Sequence, residues 1–116
     1  MKPLSLDETW KRCLAMWRWI VRRKKAGSKN SIYTLKNLYL QKYDPKADFP
    51  NACYFCAFMC EHPLKDNGRN GACPGCPGCR VDKTFACVDD GYSFQYKPAA
   101  FLRKLNQLNR KRKASR

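Results

Sequence analysis

The sequence predicts a small α+β domain in which helical segments flank a cysteine-rich middle. Three observations support this prediction. Apolar side chains recur at helical spacing near both ends of the 116-residue chain. Seven of the eight cysteines fall between residues 53 and 87, where that periodicity is lost. The formal net charge is +15, from 24 Lys and Arg against 9 Asp and Glu, and most of the excess lies outside the cysteine-rich part.

The N-terminal part, residues 6–43, is predicted to form an antiparallel helical hairpin. A Ser-Leu-Asp-Glu stretch fits the spacing of a capping box, and the apolar residues after it predict a helix from about Leu6 to Lys25. A second apolar face predicts another helix that ends near Tyr43, before an Asp-Pro step. The short Gly-Ser-Lys-Asn turn between the two helices favours the hairpin.

Turn residues dominate the middle of the chain, and residues 50–90 are predicted to form loops. The alternating sequence Gly-Tyr-Ser-Phe-Gln-Tyr, residues 91–96, predicts a short strand. A proline then begins the last helix, predicted over residues 98–109. The basic tail, residues 110–116, has no apolar anchor and is predicted to fray. Residues 1–109 are therefore predicted to be a single domain.

The cysteines have the spacing of a metal site. Cys53 and Cys56 form one C-x2-C pair, and Cys73 and Cys76 form a second pair after sixteen intervening residues. This spacing is typical of four-thiolate zinc sites. Two residues between thiols let a tight turn direct both sulfurs at one ion, and two such zinc knuckles complete a tetrahedron. We therefore predict Zn²⁺ bound by these four cysteines, in zinc-knuckle loops that the metal holds in place of a side-chain core.

The Cys-Pro-Gly-Cys-Pro-Gly-Cys run leaves alternatives open. Cys76 can pair with Cys73, which we favour, or with Cys79. The run also shares the C-x2-C-x2-C spacing of bacterial ferredoxins, although its next cysteine departs from that pattern, so an iron–sulfur cluster is the alternative to zinc. If Cys73 and Cys76 pair, the candidate ligands of a second metal site are Cys60, His62, Cys79 and Cys87.

A catalytic metal site is not expected. Four thiolates leave no coordination position open for water or substrate. His62 is the only histidine, and the chain contains neither an H-x-E nor an H-E-x-x-H motif. We therefore predict a protein that is not an enzyme and that has no small-molecule substrate.

Several of these residues together resemble one group of proteins. The residues that carry this resemblance are Trp17-Arg18-Trp19-Ile20 in the first helix, Cys53-x2-Cys56, and Cys73-x2-Cys76-Pro77 with a later Cys87. The chain resembles small, mostly uncharacterised zinc-binding proteins of tailed bacteriophages. The resemblance spans about residues 10–102. It implies that the two C-x2-C pairs are the metal ligands, and it implies no activity. Cys60, Cys79 and the basic tail depart from the pattern of that group.

Basic residues concentrate at both ends of the chain, since sixteen of the 24 Lys and Arg lie in residues 1–25 and 97–116. Such clusters gain affinity for polyanions by displacing condensed counterions, so nucleic acid is the predicted partner. The alternative is a phage-type adaptor or inhibitor that binds an acidic surface of a host protein, because Trp and Arg are frequent hot-spot residues. The predicted nucleic-acid-binding residues are Arg18, Trp19, Arg22, Arg23, Lys24, Lys25, Arg110, Lys111, Arg112 and Lys113.

No membrane partner is expected, because no apolar run reaches the length of a membrane span. The apolar stretch near the N-terminus is interrupted by an arginine and lacks the features of a signal peptide. Paired C-x2-C units without an export signal predict a cytoplasmic protein, located in the host cytoplasm if the chain is phage-encoded.

Overall fold

The computed structural model describes residues 4–47, 52–61 and 76–114, without the side chains of Cys60 and Glu61. The helices in these ranges are α1 (Leu6–Lys25), α2 (Ile32–Tyr43), α3 (Tyr54–Glu61), α4 (Pro77–Val81) and α5 (Pro98–Ala114). The described residues contain no strand and no sheet, so the prediction of an α+β fold with short strands is wrong. None of these helices is long and apolar enough to cross a membrane.

Residues 91–96 form successive turns instead of the predicted strand. The N–H of Tyr92 donates to the carbonyl of Asp89, and the N–H of Phe94 donates to the carbonyl of Cys87. The N–H of Gly91 donates to the side chain of Asp89, so three backbone donors of this segment are bonded within the same loop. Burial does not alternate along it, since the adjacent residues Ser93 and Phe94 are both buried and Tyr96 is exposed.

Helix α1 is the central element, and it packs against α2, α3 and α5. It begins where the sequence predicts, because the side chain of Ser5 accepts the N–H of Glu8 at 3.1 Å. It ends at Lys25, and Gly27 takes a φ of 96° in the turn that follows. Its buried face consists of Thr9, Trp10, Cys13, Leu14, Met16, Trp17, Ile20 and Val21.

Helix α2 runs antiparallel to α1, as the predicted hairpin requires. Near the start of α1, Arg12 contacts Asp44 at the end of α2, with 3.4 Å between the charged groups. About two turns further along α1, the ring centroids of Trp19 and Tyr39 are 5.6 Å apart. The side chain of Ser31 caps the start of α2, which therefore begins at Ile32.

Helix α5 also runs antiparallel to α1, on another side of it. Phe101 near the start of α5 packs against Trp17 with 4.8 Å between ring centroids. Arg112 near the end of α5 pairs with Asp7 at the start of α1. The helix continues to Ala114, five residues beyond its predicted end, so the part of the predicted frayed tail that is described is helical.

The middle of the chain, predicted to consist of loops, contains the short helices α3 and α4. The first residue of α3 follows Cys53, and the first residue of α4 follows Cys76. Helix α3 packs on α1, where the rings of Phe55 and Trp10 are 4.8 Å apart. Helix α4 packs on α3 and α5. Both C-x2-C segments within the described residues therefore lie at the starts of helices.

Candidate metal centre and basic surface

The cysteines of the described residues line one cavity of about 290 Å³, where α1, α2, α3, α4 and the start of α5 meet. The remaining wall is mainly aromatic, with Trp17, Phe85, Phe94 and Phe101. No disulfide joins any two of these cysteines. The cavity-lining cysteines are Cys13, Cys53, Cys56, Cys76, Cys79 and Cys87.

The first cysteine pair lies at the start of α3. The thiol of Cys56 donates a hydrogen bond to Cys53, and the backbone N–H groups of Phe55 and Cys56 also point at the Cys53 sulfur. Together with the nearby ammonium of Lys36, these donors lower the pKa of Cys53 to about 6. These contacts favour the thiolate form of Cys53. Cys13, fully buried beside it, has a raised pKa because burial disfavours its charged form.

A different pair, Cys76 and Cys79, lies at the start of α4. A hydrogen bond with Cys79, together with burial, raises the pKa of Cys76. The Cys79 thiol is buried and donates to the carbonyl of Phe85 at 3.1 Å. Between the two cysteines, Pro77 and Gly78 are buried, and Gly78 packs directly against the Phe85 ring. The raised pKa favours the thiol form of Cys76.

The predicted ligands Cys53, Cys56 and Cys76 line the same cavity. The fourth predicted ligand, Cys73, lies outside the described residues. Cys79, which we expected in a second site, lies on the wall of this cavity instead.

The rest of the predicted second site is only partly described. Cys87 also lines the cavity, from an exposed position. His62 and the side chain of Cys60 lie outside the described part of the chain. Among the side chains that are described, no group of three or more His, Cys, Asp or Glu is placed to hold a metal ion. The described residues thus bring two cysteine pairs to one cavity, each with a hydrogen bond inside the pair.

Lys36 is a buried cation on the wall of this cavity, only 3% exposed. Its ammonium nitrogen lies 4.3 Å from the ring centroid of Phe94, 5.2 Å from that of Tyr33 and 5.6 Å from that of Trp17. Burying an ammonium is costly unless it is compensated. The aromatic faces supply part of the compensation, and the neighbouring Cys53 thiolate supplies negative charge.

Lys36 was not among the predicted site residues, although the sequence contains a signal for its burial. Lys36 lies four residues after Ile32 and four before Leu40, and both of these are buried. This spacing places a lysine on the apolar face of α2.

The two basic ends of the chain lie apart in the structure. Because α1 and α5 are antiparallel, their basic C-terminal ends lie at opposite ends of the α1–α5 helix pair. At 1.5 Å per residue, the two basic ends are roughly 25 Å apart along the α1 axis. On α1, Arg18, Arg22, Arg23 and Lys25 are exposed. The ammonium of Lys24 donates to the carbonyl of Asn30 at 2.6 Å, within the turn of the hairpin.

At the basic end of α5, Arg110, Lys111 and Lys113 are exposed. Arg112 is not, since its side chain is only 11% exposed. Its guanidinium pairs with Asp7 at 2.5 Å and lies 5.3 Å from the ring centroid of Trp10. Arg112 therefore joins α5 to α1 and is not turned towards solvent.

Four exposed cations form a basic stripe along α1: Lys11, Arg18, Arg22 and Lys25. At 100° per residue they fall within a sector of about 60°, and they span about 21 Å of the helix. Arg18, Arg22 and Lys25 were among the predicted nucleic-acid-binding residues. Lys11 was not, although helical spacing places it on the same face. The basic stripe lies opposite the buried face of α1.

Beside the basic stripe, three rings form an aromatic ladder of Trp19, Tyr39 and Tyr43. The ring centroids of Trp19 and Tyr39 are 5.6 Å apart, and those of Tyr39 and Tyr43 are 4.7 Å apart. A cation lies over each end of the ladder. The Arg23 guanidinium is 5.7 Å from the Trp19 centroid, and the Lys42 ammonium is 5.3 Å from the Tyr43 centroid.

In comparisons with known proteins, no family model, no curated protein and no solved structure matches the chain. The resemblance to small phage proteins stays a prediction.

Proposed function

We propose that the protein is a non-catalytic nucleic-acid-binding protein whose fold a zinc–thiolate centre stabilises. The observation that carries this proposal is the basic stripe, which presents four exposed cations on one face of the central helix. A row of cations at this spacing can neutralise successive phosphates of a nucleic-acid backbone.

The carboxylates near the basic stripe lie at its first residue, where the positive charge of Lys11 helps to lower the pKa of Glu8. Asp7 is paired with Arg112 at the start of α1, whereas most of the stripe lies in the second half of that helix. Glu8 and Asp44 are both paired with Arg12, which lies on a different side of the helix. Within the described residues, no salt bridge involves a cation of the stripe. The stripe therefore keeps its positive charge at the surface.

The test is a salt titration of binding to nucleic acid. Each phosphate contact contributes about 0.7 to the slope of log K against log salt for a single strand and about 0.9 for a duplex. Replacing Arg18 and Arg22 by glutamine should therefore lower the slope by about 1.4 to 1.8 and weaken binding at low salt. The matched control replaces Lys83 and Arg103, two exposed cations outside the stripe, by glutamine.

The control protein should lose less affinity than the stripe variant. An equal loss in both would contradict a role for the stripe. If the wild-type protein bound neither DNA nor RNA at low salt, the nucleic-acid proposal would fail, and an acidic protein surface would become the expected partner.

The zinc centre is proposed at the cysteine-lined cavity, where the ion would have to draw the two cysteine pairs closer together, because the described side chains do not place three ligands around one point. Cys53, Cys56 and Cys76 would supply three of the thiols, and the fourth would come from Cys73 or Cys79. Thiolate sulfur is a preferred ligand of zinc, and four thiolates around one ion bring two excess negative charges into the interior. Lys36, buried on the cavity wall, would offset one of them.

Zinc content distinguishes the two choices of fourth ligand. The wild-type protein should contain one zinc ion per chain, and Cys53→Ser should lose it. Cys73→Ser and Cys79→Ser form a matched pair, since only the variant that lacks a ligand should bind zinc more weakly. Iron and acid-labile sulfide in protein purified without oxygen would indicate the iron–sulfur alternative. Wild-type protein that contained no metal after purification in reducing buffer without chelator, and that bound no added zinc, would contradict the zinc centre.

A further inference from the structure

The aromatic ladder beside the basic stripe indicates which form of nucleic acid the surface suits. We infer that the protein binds single-stranded nucleic acid and that a base stacks on Tyr43 while the basic stripe holds the backbone. This inference rests on the proposed nucleic-acid function and specifies its substrate class.

The ladder leads from the protein core to solvent. Trp19 and Tyr39 are partly buried and pack against the core, whereas Tyr43, the last residue of α2, is 53% exposed. The packing of Trp19 on Tyr39 helps to hold the two helices of the hairpin together. The exposed ring of Tyr43 adds little to that packing, but Tyr39 fixes its position at 4.7 Å. The ladder thus ends in an aromatic surface that is already oriented before any ligand binds.

Several cations lie around the ladder, together with the carboxylate of Asp44 near Tyr39. Lys42 and Arg23 lie over its two ends. Arg22, a member of the basic stripe, is close enough to Tyr39 to oppose the rise in its pKa that burial causes. A strand whose base covers Tyr43 would therefore pass its phosphates near Arg22 and Lys42. Both cations belong to long, flexible side chains that can turn from a ring face to a phosphate.

Stacking on Tyr43 requires an unpaired base. In a duplex, the faces of the bases are covered by their neighbours, so a duplex can offer the protein only its phosphates and groove edges. A single strand offers base faces as well, and every base has one, so stacking of this kind tolerates any sequence. The basic stripe alone predicts binding to both forms. The ladder adds affinity for the single strand, by about fivefold to a hundredfold per stacked base.

The experiment compares binding to an oligothymidylate and to a duplex of the same length, by fluorescence anisotropy at constant salt. The wild-type protein should prefer the single strand. Tyr43→Ala should reduce affinity for the oligothymidylate about tenfold and leave affinity for the duplex unchanged. Tyr43→Trp, which keeps an aromatic face, should retain the preference. Tyr96→Ala is the matched control, because Tyr96 is an exposed tyrosine, 79% exposed, on a different segment. Circular dichroism confirms that each variant is folded.

The outcomes separate this inference from the proposal on which it rests. If the wild-type protein binds neither form, the proposed function itself fails. If it binds both forms equally, or if its preference for the single strand survives Tyr43→Ala, the ladder does not stack on a base, although the basic stripe remains the nucleic-acid surface. Loss of the preference in Tyr96→Ala to the same extent as in Tyr43→Ala would also overturn the assignment.

Discussion

Gly78→Ala is expected to destabilise the protein, because no space exists for a side chain at this position. Gly78 lies between Cys76 and Cys79 and is buried. A Cβ atom there would lie 2.5 Å from Cδ2 and 2.6 Å from Cε2 of Phe85. Carbon atoms in contact are normally about 3.5–4.0 Å apart, so the ring must retreat by about 1 Å. Phe85 is only 3% exposed and packs on Tyr92 and Phe101, so the ring cannot move without disturbing them.

The size of the effect follows from two opposing contributions. Forcing an extra carbon into a packed core typically costs about 1–3 kcal/mol. Because the backbone at Gly78 does not adopt a positive φ, alanine also restricts the unfolded chain, which recovers about 0.4–1 kcal/mol. We expect a net loss of about 1–2 kcal/mol in the free energy of unfolding.

Urea unfolding followed by circular dichroism measures this loss, as a shift of the transition midpoint at constant slope. Gly91→Ala is the matched control, since Gly91 is exposed and a Cβ there would meet only the Asp89 carboxylate oxygen, at 3.2 Å. The control should change stability by less than about 0.5 kcal/mol. A Gly78→Ala protein as stable as the wild type would show that the ring has room to move and would refute the packing described here.

Three further predictions concern charge and metal. Hydrogen bonds from Thr84 lower the pKa of Asp82 from 3.8. The stability that this carboxylate contributes is therefore present above pH 3.8 and is lost as the pH falls through the lowered pKa. Asp82→Asn should be less stable than the wild type at neutral pH, and urea titrations should show this difference disappearing in acid. Lys36→Met should raise the pKa of Cys53, so mass spectrometry should find slower alkylation of that thiol at neutral pH in reduced, metal-free protein; an unchanged rate would contradict this role of the lysine. Chelation of zinc should increase hydrogen exchange in α3 and α4 more than in α1 and α5; equal increases throughout would contradict it.

The sequence predicted the hairpin well because local signals determine it. The Ser5 cap and the spacing of apolar residues place α1 between Leu6 and Lys25, which are its observed limits. Helix α3 was missed because eight residues rich in cysteine and aromatic side chains show too little periodicity to distinguish a helix from a loop. The strand at 91–96 was predicted wrongly because the alternation of aromatic and small residues is not matched by alternating burial, and no partner strand is present in the described residues.

The candidate site was only partly predictable. Cysteine spacing predicts Cys53, Cys56 and Cys76 as ligands of one ion, and all three line one cavity, although no described group of three is placed to hold a metal. The same two-residue interval joins Cys76 to Cys79, but spacing could not show whether Cys73 or Cys79 is the partner of Cys76. Nor could it show that Arg112 is engaged with Asp7, because that pair depends on how α5 packs against α1. Long-range contacts of this kind depend on tertiary packing, which residue spacing does not specify.

The buried aromatic side chains change the expected relation between metal and fold. The sequence suggested that a metal ion replaces a core that the middle of the chain cannot form. Instead, Tyr54, Phe55, Phe58 and Phe85 are buried there, and Phe55 packs on Trp10 of α1. Burying one such ring typically contributes about 1.5–3 kcal/mol, so these four side chains supply a sizeable apolar contribution without any metal. A zinc ion at the cavity would therefore add to a hydrophobic core, and its main structural effect would be to fix the starts of α3 and α4 against each other.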